Sequence, residues 1–232
     1  MNKTLIFIAT LNEYPNIVRF IERVERLELP IDILVIDDNS TDGTIEYLKK
    51  YQEKNLFLKL IVREKKLGLD TAHKFAFDYA IRENYKNLIT LDADLSHEPE
   101  LLPNFINLLK NNDFVIGSRY IEGGSCDMKG FRLFLSVYGN IFIKKFLNIN
   151  SCEFTTSYRG FNHRLLRLLQ KRKIKSTGYS FFMEIIYHIN IMGVKIVQIP
   201  INFHDRVSGQ SKIPKIEIFR TLYNVLRLKF FN

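Results

Sequence analysis

Residues 31–44 read IDILVIDDNSTDGT, and this stretch decides the fold class. Residues 31–36 are almost entirely apolar and of strand length, which is typical of a strand buried on both faces of a parallel sheet. Asp37 and Asp38 follow directly, and the residues around Gly43 form a turn that leads into a helix. The stretch therefore predicts a β-α unit with two carboxylates at the end of its strand.

The same pattern recurs on both sides of this unit. Further strands are predicted at residues 5–10, 56–62, 87–91 and 113–118, with helices beginning near residues 15, 43, 69 and 99. Alternating strands and helices predict an α/β fold with a mostly parallel sheet flanked by helices. Ligands of such sheets bind beyond the carboxyl ends of the strands. Three polar clusters follow strand ends, which predicts a site there: Asn12 with Glu13, Asp37 with Asp38, and Asp92 with Asp94.

The second half of the chain has a different character. Residues 131–147 are rich in aromatic and basic side chains. Residues 158–169 and 181–191 are predicted to be helical, residues 195–203 alternate like a strand, and residues 204–212 form a polar loop. Residues 215–231 are predicted to form a basic amphipathic helix.

The composition sets limits on domain number and partners. A chain of 232 residues with 46% hydrophobic residues fits one domain with a real core. The net charge of +9 suits a polyanionic partner such as a phosphorylated substrate or an anionic membrane. Nucleic acid is disfavoured, because no nucleic-acid-binding motif is present and acids follow the strands. The two cysteines lack metal-ligand spacing.

Asp92 and Asp94 are the first candidates for chemistry. Separated by one residue at a strand end, the two carboxylates can hold a divalent cation that also binds a diphosphate. The alternative is that they are solvated acids near the helix that begins at Pro99.

Six short motifs, in order, carry a resemblance to a known family. The chain resembles the family 2 glycosyltransferases of the GT-A fold, and among them the dolichyl-phosphate mannosyltransferases. The motifs are TLNE (10–13), VIDDNSTDGT (35–44), KLGL (66–69), LDADLSHEP (91–99), GSRY (117–120) and SGQSK (208–212).

The resemblance implies a role for each matched residue. One GT-A domain is expected over residues 1–232, with residues 1–120 binding the nucleotide sugar and metal and residues 121–232 binding the acceptor and the membrane surface. Mg²⁺ or Mn²⁺ is the implied cofactor. The implied metal ligands are Asp92, Asp94 and Ser96; the implied donor-binding residues are Asn12, Glu13, Asp37, Asp38, Gly68, Asp92, Arg206 and Ser211; Arg119, Arg132 and Ser136 would bind the acceptor phosphate; and Asp94, Arg119 and Lys212 would act in catalysis.

The implied reaction is inverting transfer of mannose from GDP-mannose to polyprenyl or dolichyl phosphate. Such an acceptor is already anionic, so it needs cations and alignment rather than a general base. Mannose is preferred because the sequence after Asp94 resembles the mannosyltransferase version of the motif. Arg119 has a structural alternative, an ion pair with Asp113 or Glu122, and His97 is interpreted as a structural hydrogen-bonding residue.

The chain also departs from the family pattern. Asp70 stands where a second Gly follows KLGL, which adds negative charge near the expected diphosphate path. Ser157 stands where Gly is usual in the segment Glu153–Arg159, and Leu11 replaces a Tyr.

Localisation and alternatives follow from the same features. With no signal peptide or span recognised in the sequence, the chain is expected to be cytoplasmic and peripheral on the cytoplasmic face of a membrane, with a separate membrane protein as a candidate partner. Three alternatives stay open: another donor such as UDP-glucose, a cell-surface glycan as acceptor, and a non-catalytic nucleotide-sugar-binding module.

Overall fold

The computed structural model of this chain describes residues 3–204 and 216–231. Its strands are β1 Thr4–Thr10, β2 Ile31–Asp37, β3 Leu58–Val62, β4 Asn87–Thr90, β5 Phe114–Ser118, β6 Ser125–Cys126, β7 Arg159–Asn162, β8 Ile196–Pro200 and β9 Asn202–Phe203. Its α-helices are α1 Tyr14–Glu25, α2 Thr44–Lys54, α3 Leu69–Arg82, α4 Leu102–Leu108, α5 Gly130–Leu147, α6 His163–Gln170, α7 Tyr179–Ile191 and α8 Ile216–Phe230, and a 3-10 turn at Pro99–Leu101 precedes α4.

Seven strands form one sheet in the order β3-β2-β1-β4-β7-β5-β8. All neighbouring strands in it are parallel except β7, which pairs antiparallel with β4 on one side and β5 on the other. The expected α/β fold with a mostly parallel sheet is confirmed. Although β7 lies in the second half of the chain, it occupies the middle of the sheet, between β4 and β5.

Apolar side chains cover both faces of this sheet. Alternate residues of β1 illustrate the arrangement: Phe7 belongs to the core beneath α3, α6 and α7, whereas Ile8 belongs to the core beneath α1, α2 and α4. This two-sided burial explains why the central strands are continuous apolar runs in the sequence.

The prediction that residues 158–169 are wholly helical is wrong. The chain first forms β7 and only then α6, with Asn162 as the helix cap: its Oδ1 accepts a hydrogen bond from Leu165 N, 2.8 Å away. Gly160 lies in β7 where an added Cβ would come within 2.8 Å of Leu109 Cδ1. Pairing on both edges of β7, together with this close packing, overrides the helical spacing of the sequence.

The alternating stretch 195–203 is extended as predicted, but it divides into β8 and β9. The short strand β9 pairs in parallel with β6 as a separate two-stranded sheet. This break directs Phe203 towards the carboxyl end of the main sheet.

The C-terminal helix α8 is held to α7 by a buried ion pair. Arg227 Nη2 donates to Glu184 Oε2 at 2.8 Å and to Ser176 Oγ at 3.0 Å. Val225 and Leu228 are fully buried beside this pair. The inner side of α8 is thus part of the core of the domain.

No helix within residues 3–204 and 216–231 has the length and apolar character needed to cross a lipid bilayer.

Candidate active site

A cavity of about 930 Å³ opens at the carboxyl ends of the central strands. At one end it is lined by charged side chains that follow β1, β2 and β4, and at the other by apolar side chains of α5 and α8. The predicted site residues that line it are Glu13, Asp38, Asp92, Asp94, Arg119, Arg132 and Ser136.

The two carboxylates after β4 each accept a hydrogen bond from a serine. Ser96 donates to Asp94 Oδ1 through its hydroxyl at 2.6 Å and its backbone N–H at 3.0 Å. Ser157 Oγ donates to Asp92 Oδ1 at 2.7 Å. Ser96 is fully buried and does not line the cavity. In this structure Ser96 is a hydrogen-bonding partner of Asp94, and its role as a metal ligand stays a prediction.

His97 fixes the loop that carries both carboxylates. Its Nδ1 accepts a hydrogen bond from Asp92 N at 3.2 Å, so the ring proton lies on Nε2, which donates to Thr156 Oγ1 at 3.1 Å. Nδ1 also lies 3.6 Å from Asp92 Oδ2, which would be an ion pair only if the ring were protonated. Burial lowers the pKa of His97, so the ring is neutral. Its structural role agrees with the sequence interpretation.

Asp37 lies behind the cavity wall. Its Oδ2 accepts hydrogen bonds from Thr10 Oγ1 at 2.6 Å and from Ser40 Oγ at 2.7 Å, and its Oδ1 accepts from Ser40 N at 2.7 Å. The residue is 0% exposed. In this structure Asp37 holds the β1 and β2 loops together, and its contact with the donor stays a prediction.

Asn12 performs a similar bridging role. Its Oδ1 accepts a hydrogen bond from Thr41 N at 2.8 Å, and its backbone N donates to Ser40 Oγ at 2.8 Å. Asn12 has a φ of 57°, a left-handed conformation that asparagine tolerates better than most residues. Asn12 does not line the cavity, whereas its neighbour Glu13 does.

Asp38 faces the cavity and pairs with Arg63 at the end of β3. Arg63 also donates to Thr71 Oγ1 at 2.6 Å and to Gly68 O at 3.3 Å. Gly68 has a φ of 97°, a conformation that glycine adopts without strain. Gly68 is thus part of the loop that Arg63 ties to Asp38, and sequence reasoning did not single out Arg63.

Arg119 forms a buried, two-pronged ion pair with Glu153. Arg119 Nε donates to Glu153 Oε2 at 2.7 Å, and Nη2 donates to Glu153 Oε1 at 2.8 Å and to Thr155 Oγ1 at 2.9 Å. Burial opposes charge on both groups, but the pair outweighs it: the pKa of Arg119 is raised and the pKa of Glu153 is lowered. The expected ion-pair partners, Asp113 and Glu122, are wrong, because Arg119 pairs with Glu153 and Asp113 pairs with Arg164.

The guanidinium of Arg119 also lies between two aromatic rings. Its Cζ is 4.9 Å from the ring centroid of Tyr120 and 5.1 Å from that of Phe203. Tyr120 in turn shares a hydrogen bond of 2.6 Å with Ser136 Oγ on α5. Among the described residues, Nη1 of Arg119 has no hydrogen-bond partner, so this nitrogen can reach a ligand in the cavity.

Arg159 braces the segment that carries Glu153 and Ser157. It is fully buried, and its three nitrogens donate to three carbonyl oxygens: Nε to Thr156 at 2.8 Å, Nη1 to Phe182 at 2.7 Å and Nη2 to Phe154 at 2.9 Å. Burial lowers the pKa of Arg159 to about 9. In the sequence this segment was recognised only by its resemblance to a family motif. The pattern did not reveal that the segment links Arg119 to Asp92.

Asp70 does not add charge to the cavity, contrary to expectation. It is buried and does not line the cavity. Its Oδ1 accepts a hydrogen bond from Gly178 N at 3.3 Å, and its Oδ2 lies 3.7 Å from Lys74 Nζ. Asp70 therefore joins α3 to the start of α7.

The predicted residues Arg206, Ser211 and Lys212 lie outside the described residues.

The carboxylates fit a hard divalent cation. Mg²⁺ typically binds proteins through one or two carboxylates and completes its shell with water and substrate phosphates. Asp92 and Asp94 provide two such carboxylates facing one cavity, each with one oxygen held by a serine. Within the described part of the chain, no cluster of three or more His, Cys, Asp or Glu side chains is arranged to hold a metal.

Comparison with known proteins places this site in a family. Residues 5–169, well over half of the chain, match the model of Glycosyl transferase family 2. The chain belongs to this family. It is a glycosyltransferase, and the resemblance found in the sequence is confirmed.

Two curated relatives match nearly the whole chain. The undecaprenyl-phosphate mannosyltransferase of Micrococcus luteus is 30% identical over 97% of this glycosyltransferase and 93% of the relative. The polyprenol monophosphomannose synthase of Mycolicibacterium smegmatis is 31% identical over 96% of this chain and 85% of the relative.

Two solved structures of the same fold contain a nucleotide or nucleotide sugar together with Mn²⁺. Glucosyl-3-phosphoglycerate synthase from Mycobacterium tuberculosis, solved with Mn²⁺, UDP and its product, superposes with a TM-score of 0.67 at 16% identity, covering 98% of this chain and 78% of that one. A mannosyltransferase from Pyrobaculum calidifontis, solved with GDP-mannose and Mn²⁺, has a TM-score of 0.58 at 19% identity and covers 90% and 58%. At these identities the likeness supports the GT-A fold alone.

Proposed function

We propose that this glycosyltransferase transfers mannose from GDP-mannose to the phosphate of a polyprenyl or dolichyl phosphate, with Mg²⁺ or Mn²⁺ as cofactor. The observation that carries the proposal is the cavity that joins the carboxylates of the β4 loop to an apolar groove between α5 and α8. A nucleotide sugar suits the first end, and a prenyl chain suits the second. The names of both full-length relatives support the same acceptor class.

The apolar end of the cavity supports a lipid rather than a glycan acceptor. It is lined by Phe131, Leu135 and Phe142 of α5 and by Leu222 and Val225 of α8. A glycan presents hydroxyl groups, and burying them against such side chains would leave their hydrogen bonds unmade. A prenyl chain buries only apolar surface there.

The chemistry needs no general base. A phosphate oxygen of the acceptor attacks the anomeric carbon of mannose as the bond from that carbon to the β-phosphate oxygen breaks, so GDP leaves and the configuration inverts. A divalent cation bound at this site would neutralise charge on the leaving diphosphate. Asp92 and Asp94 would hold that cation, and Glu13 and Asp38 lie where they can contact the donor.

Arg119 suits the acceptor phosphate. The contacts with Glu153, Tyr120 and Phe203 fix its guanidinium, and Nη1 remains to donate to a phosphate oxygen. Arginine matches phosphate geometry well, and a pre-positioned one binds at little entropic cost. Arg132 and Ser136 line the same part of the cavity and are proposed as further phosphate contacts. Lys212, Arg206 and Ser211 stay proposals from the resemblance.

A membrane surface is the proposed place of action. Exposed aromatic and aliphatic side chains occur on both helices beside the cavity: Phe131, Phe134, Tyr138, Ile141 and Phe142 on α5, and Phe219, Leu222, Tyr223, Leu226 and Phe230 on α8. The two helices touch, with the rings of Phe146 and Phe230 6.2 Å apart. Helices of this kind can lie at the boundary between headgroups and acyl chains. We assign the enzyme to the cytoplasmic face of a membrane, and a membrane protein that recruits it is compatible with this surface.

Transfer of radiolabelled sugar into organic-extractable lipid tests the proposal. Purified enzyme is supplied with polyprenyl phosphate and one of three donors, GDP-mannose, UDP-glucose or UDP-N-acetylglucosamine, with and without Mg²⁺ or Mn²⁺. We expect metal-dependent labelling from GDP-mannose only. Labelling only from a UDP-sugar would contradict mannose but keep the acceptor. Donor hydrolysis without lipid labelling would contradict the acceptor.

A further inference from the structure

One short segment connects the two ends of the polar site. Glu153 holds Arg119, Thr156 contacts His97, and Ser157 contacts Asp92. The last contact has no counterpart in the family pattern, which has Gly where this chain has Ser157. A glycine offers no side-chain donor to the carboxylate.

We propose that Ser157 is a positioning residue for Asp92, and that its hydroxyl orients the carboxylate for binding the divalent cation. This inference rests on the proposed metal-assisted transfer. It assigns to this chain a second serine contact at the metal site, parallel to the contact between Ser96 and Asp94.

The backbone around Ser157 is fixed on both sides, so its hydroxyl is held in place. Thr90 Oγ1, at the end of β4, donates to the carbonyl oxygen of Ser157. One residue earlier, the carbonyl oxygen of Thr156 accepts from Arg159 Nε at 2.8 Å. Ser157 itself is only 4% exposed, although it lines the cavity. The donor to Asp92 is therefore rigid and partly shielded from water.

A fixed donor on one carboxylate oxygen has two effects. It restricts rotation of the Asp92 side chain, which lowers the entropy lost when a cation binds. It also uses part of the acceptor capacity of Oδ1, which disfavours coordination through both oxygens at once and suits the near-octahedral shell of Mg²⁺. Partners that orient a ligand in this way typically contribute about 10–100-fold to metal affinity.

Direct Mn²⁺ binding tests the inference without relying on turnover. The electron paramagnetic resonance signal of free Mn²⁺ is measured while metal is titrated into the full chain, with and without GDP. The variants are Ser157→Ala, Ser157→Gly and Ser157→Thr. Gly is the family residue at this position, so that variant should fold, and Thr restores a hydroxyl. The matched control is Ser176→Ala, which removes another buried serine hydroxyl that contacts a charged side chain, Arg227.

We expect the Ala and Gly variants to bind Mn²⁺ about tenfold more weakly, with the Thr variant and the control close to the wild-type Kd. Wild-type affinity in both the Ala and Gly variants would overturn the inference. So would an equal loss in the Thr variant, because the hydroxyl would then not be the cause. The wild type could bind Mn²⁺, and the Ser157 variants could bind it more weakly as expected, while no lipid is labelled. That combination would reject the proposed acceptor and keep the role of Ser157. A wild-type enzyme that binds no Mn²⁺ with GDP would reject both.

Discussion

The two ends of the cavity are built in opposite ways. At the polar end, side-chain hydrogen bonds tie the loop after β1 to the loop after β2, as when Asn12 accepts from Thr41, and tie the loop after β4 to Ser157. At the apolar end, α5 and α8 leave large apolar side chains exposed and meet through the rings of Phe146 and Phe230. Substitutions at the polar end should therefore damage chemistry and stability, whereas those at the apolar end should damage recruitment of the lipid.

The largest expected effect is loss of turnover on Asp94→Asn. The substitution removes a charge that would hold the cation on the leaving diphosphate, and we expect kcat to fall by at least about 100-fold. The measurement is lipid labelling at saturating donor. Asp78→Asn, an exposed residue on α3 that contacts Gln170, is the control and should retain full activity. Equal activity of the two variants would contradict the metal site.

Glu153→Gln should destabilise the protein and weaken acceptor binding. It leaves Arg119 buried beside a neutral group, which typically costs about 3–5 kcal/mol. Urea denaturation gives the free energy of unfolding, and KM for the lipid acceptor gives the functional effect. Asp113→Asn breaks the exposed pair with Arg164 and should change stability little. A Glu153 variant as stable as the wild type would show that the buried pair is not needed for folding.

Exposed aromatics on α8 should control membrane binding without affecting the chemistry. Phe219→Ser combined with Tyr223→Ser should lower partitioning onto lipid vesicles roughly tenfold, because less apolar surface enters the interface. Leu56→Ser is the control, since Leu56 is 84% exposed in the loop before β3 and Phe219 is 72% exposed. Sedimentation with vesicles measures binding, and a short water-soluble prenyl phosphate should be used equally by all variants. If the double variant sediments with vesicles as the wild type does, α8 does not contribute to membrane binding.

The smallest expected effect is a dependence of stability on pH through Glu184. Burial alone would raise the pKa of Glu184, but the nearby His188, 3.7 Å away, and hydrogen bonds from the backbone N–H groups of Ser176 and Lys175 lower it to about 2, against an ordinary value of 4.5. A lowered pKa contributes stability that is present above pH 4.5 and is lost as the pH falls towards 2. We expect about 1–2 kcal/mol from this residue after solvent screening.

Unfolding of the wild type and Glu184→Gln, followed from pH 7 to pH 3, checks this expectation. The stability difference between the two proteins should stay constant down to about pH 5 and shrink below it. A stability difference that grows as the pH falls would contradict a lowered pKa of Glu184.

The sequence predicted the parallel strands and the polar clusters because both depend on local pattern. A buried strand that ends in acids, as at Asp37 and Asp38, is visible from composition alone. Yet the pattern could not distinguish the two neighbours: Asp37 is buried and Asp38 faces the cavity, because successive side chains at a strand end point in different directions.

Contacts between distant parts of the chain were not predictable in the same way. Arg119 and Glu153 are 34 residues apart, and only the antiparallel entry of β7 between β4 and β5 brings them together. The helical spacing of residues 158–169 concealed that strand. One feature of the sequence did indicate that Glu153 matters: it occupies the acidic position in the segment that resembles the family's Asp-x-Thr-Ser-Gly-Phe-Arg.

The central place of β7 has a consequence for how this enzyme can be recombined with its relatives. A chimera joined at residue 120 would insert a foreign β7 between native β4 and β5, and the foreign segment before it would meet a native Arg119 and Asp92. If the two parents are joined after α6 instead, then β7, the segment before it, and their partners Arg119 and Asp92 all come from one parent. A graft of α5 or α8 between family members should therefore leave residues 153–162 from the same parent as Arg119 and Asp92.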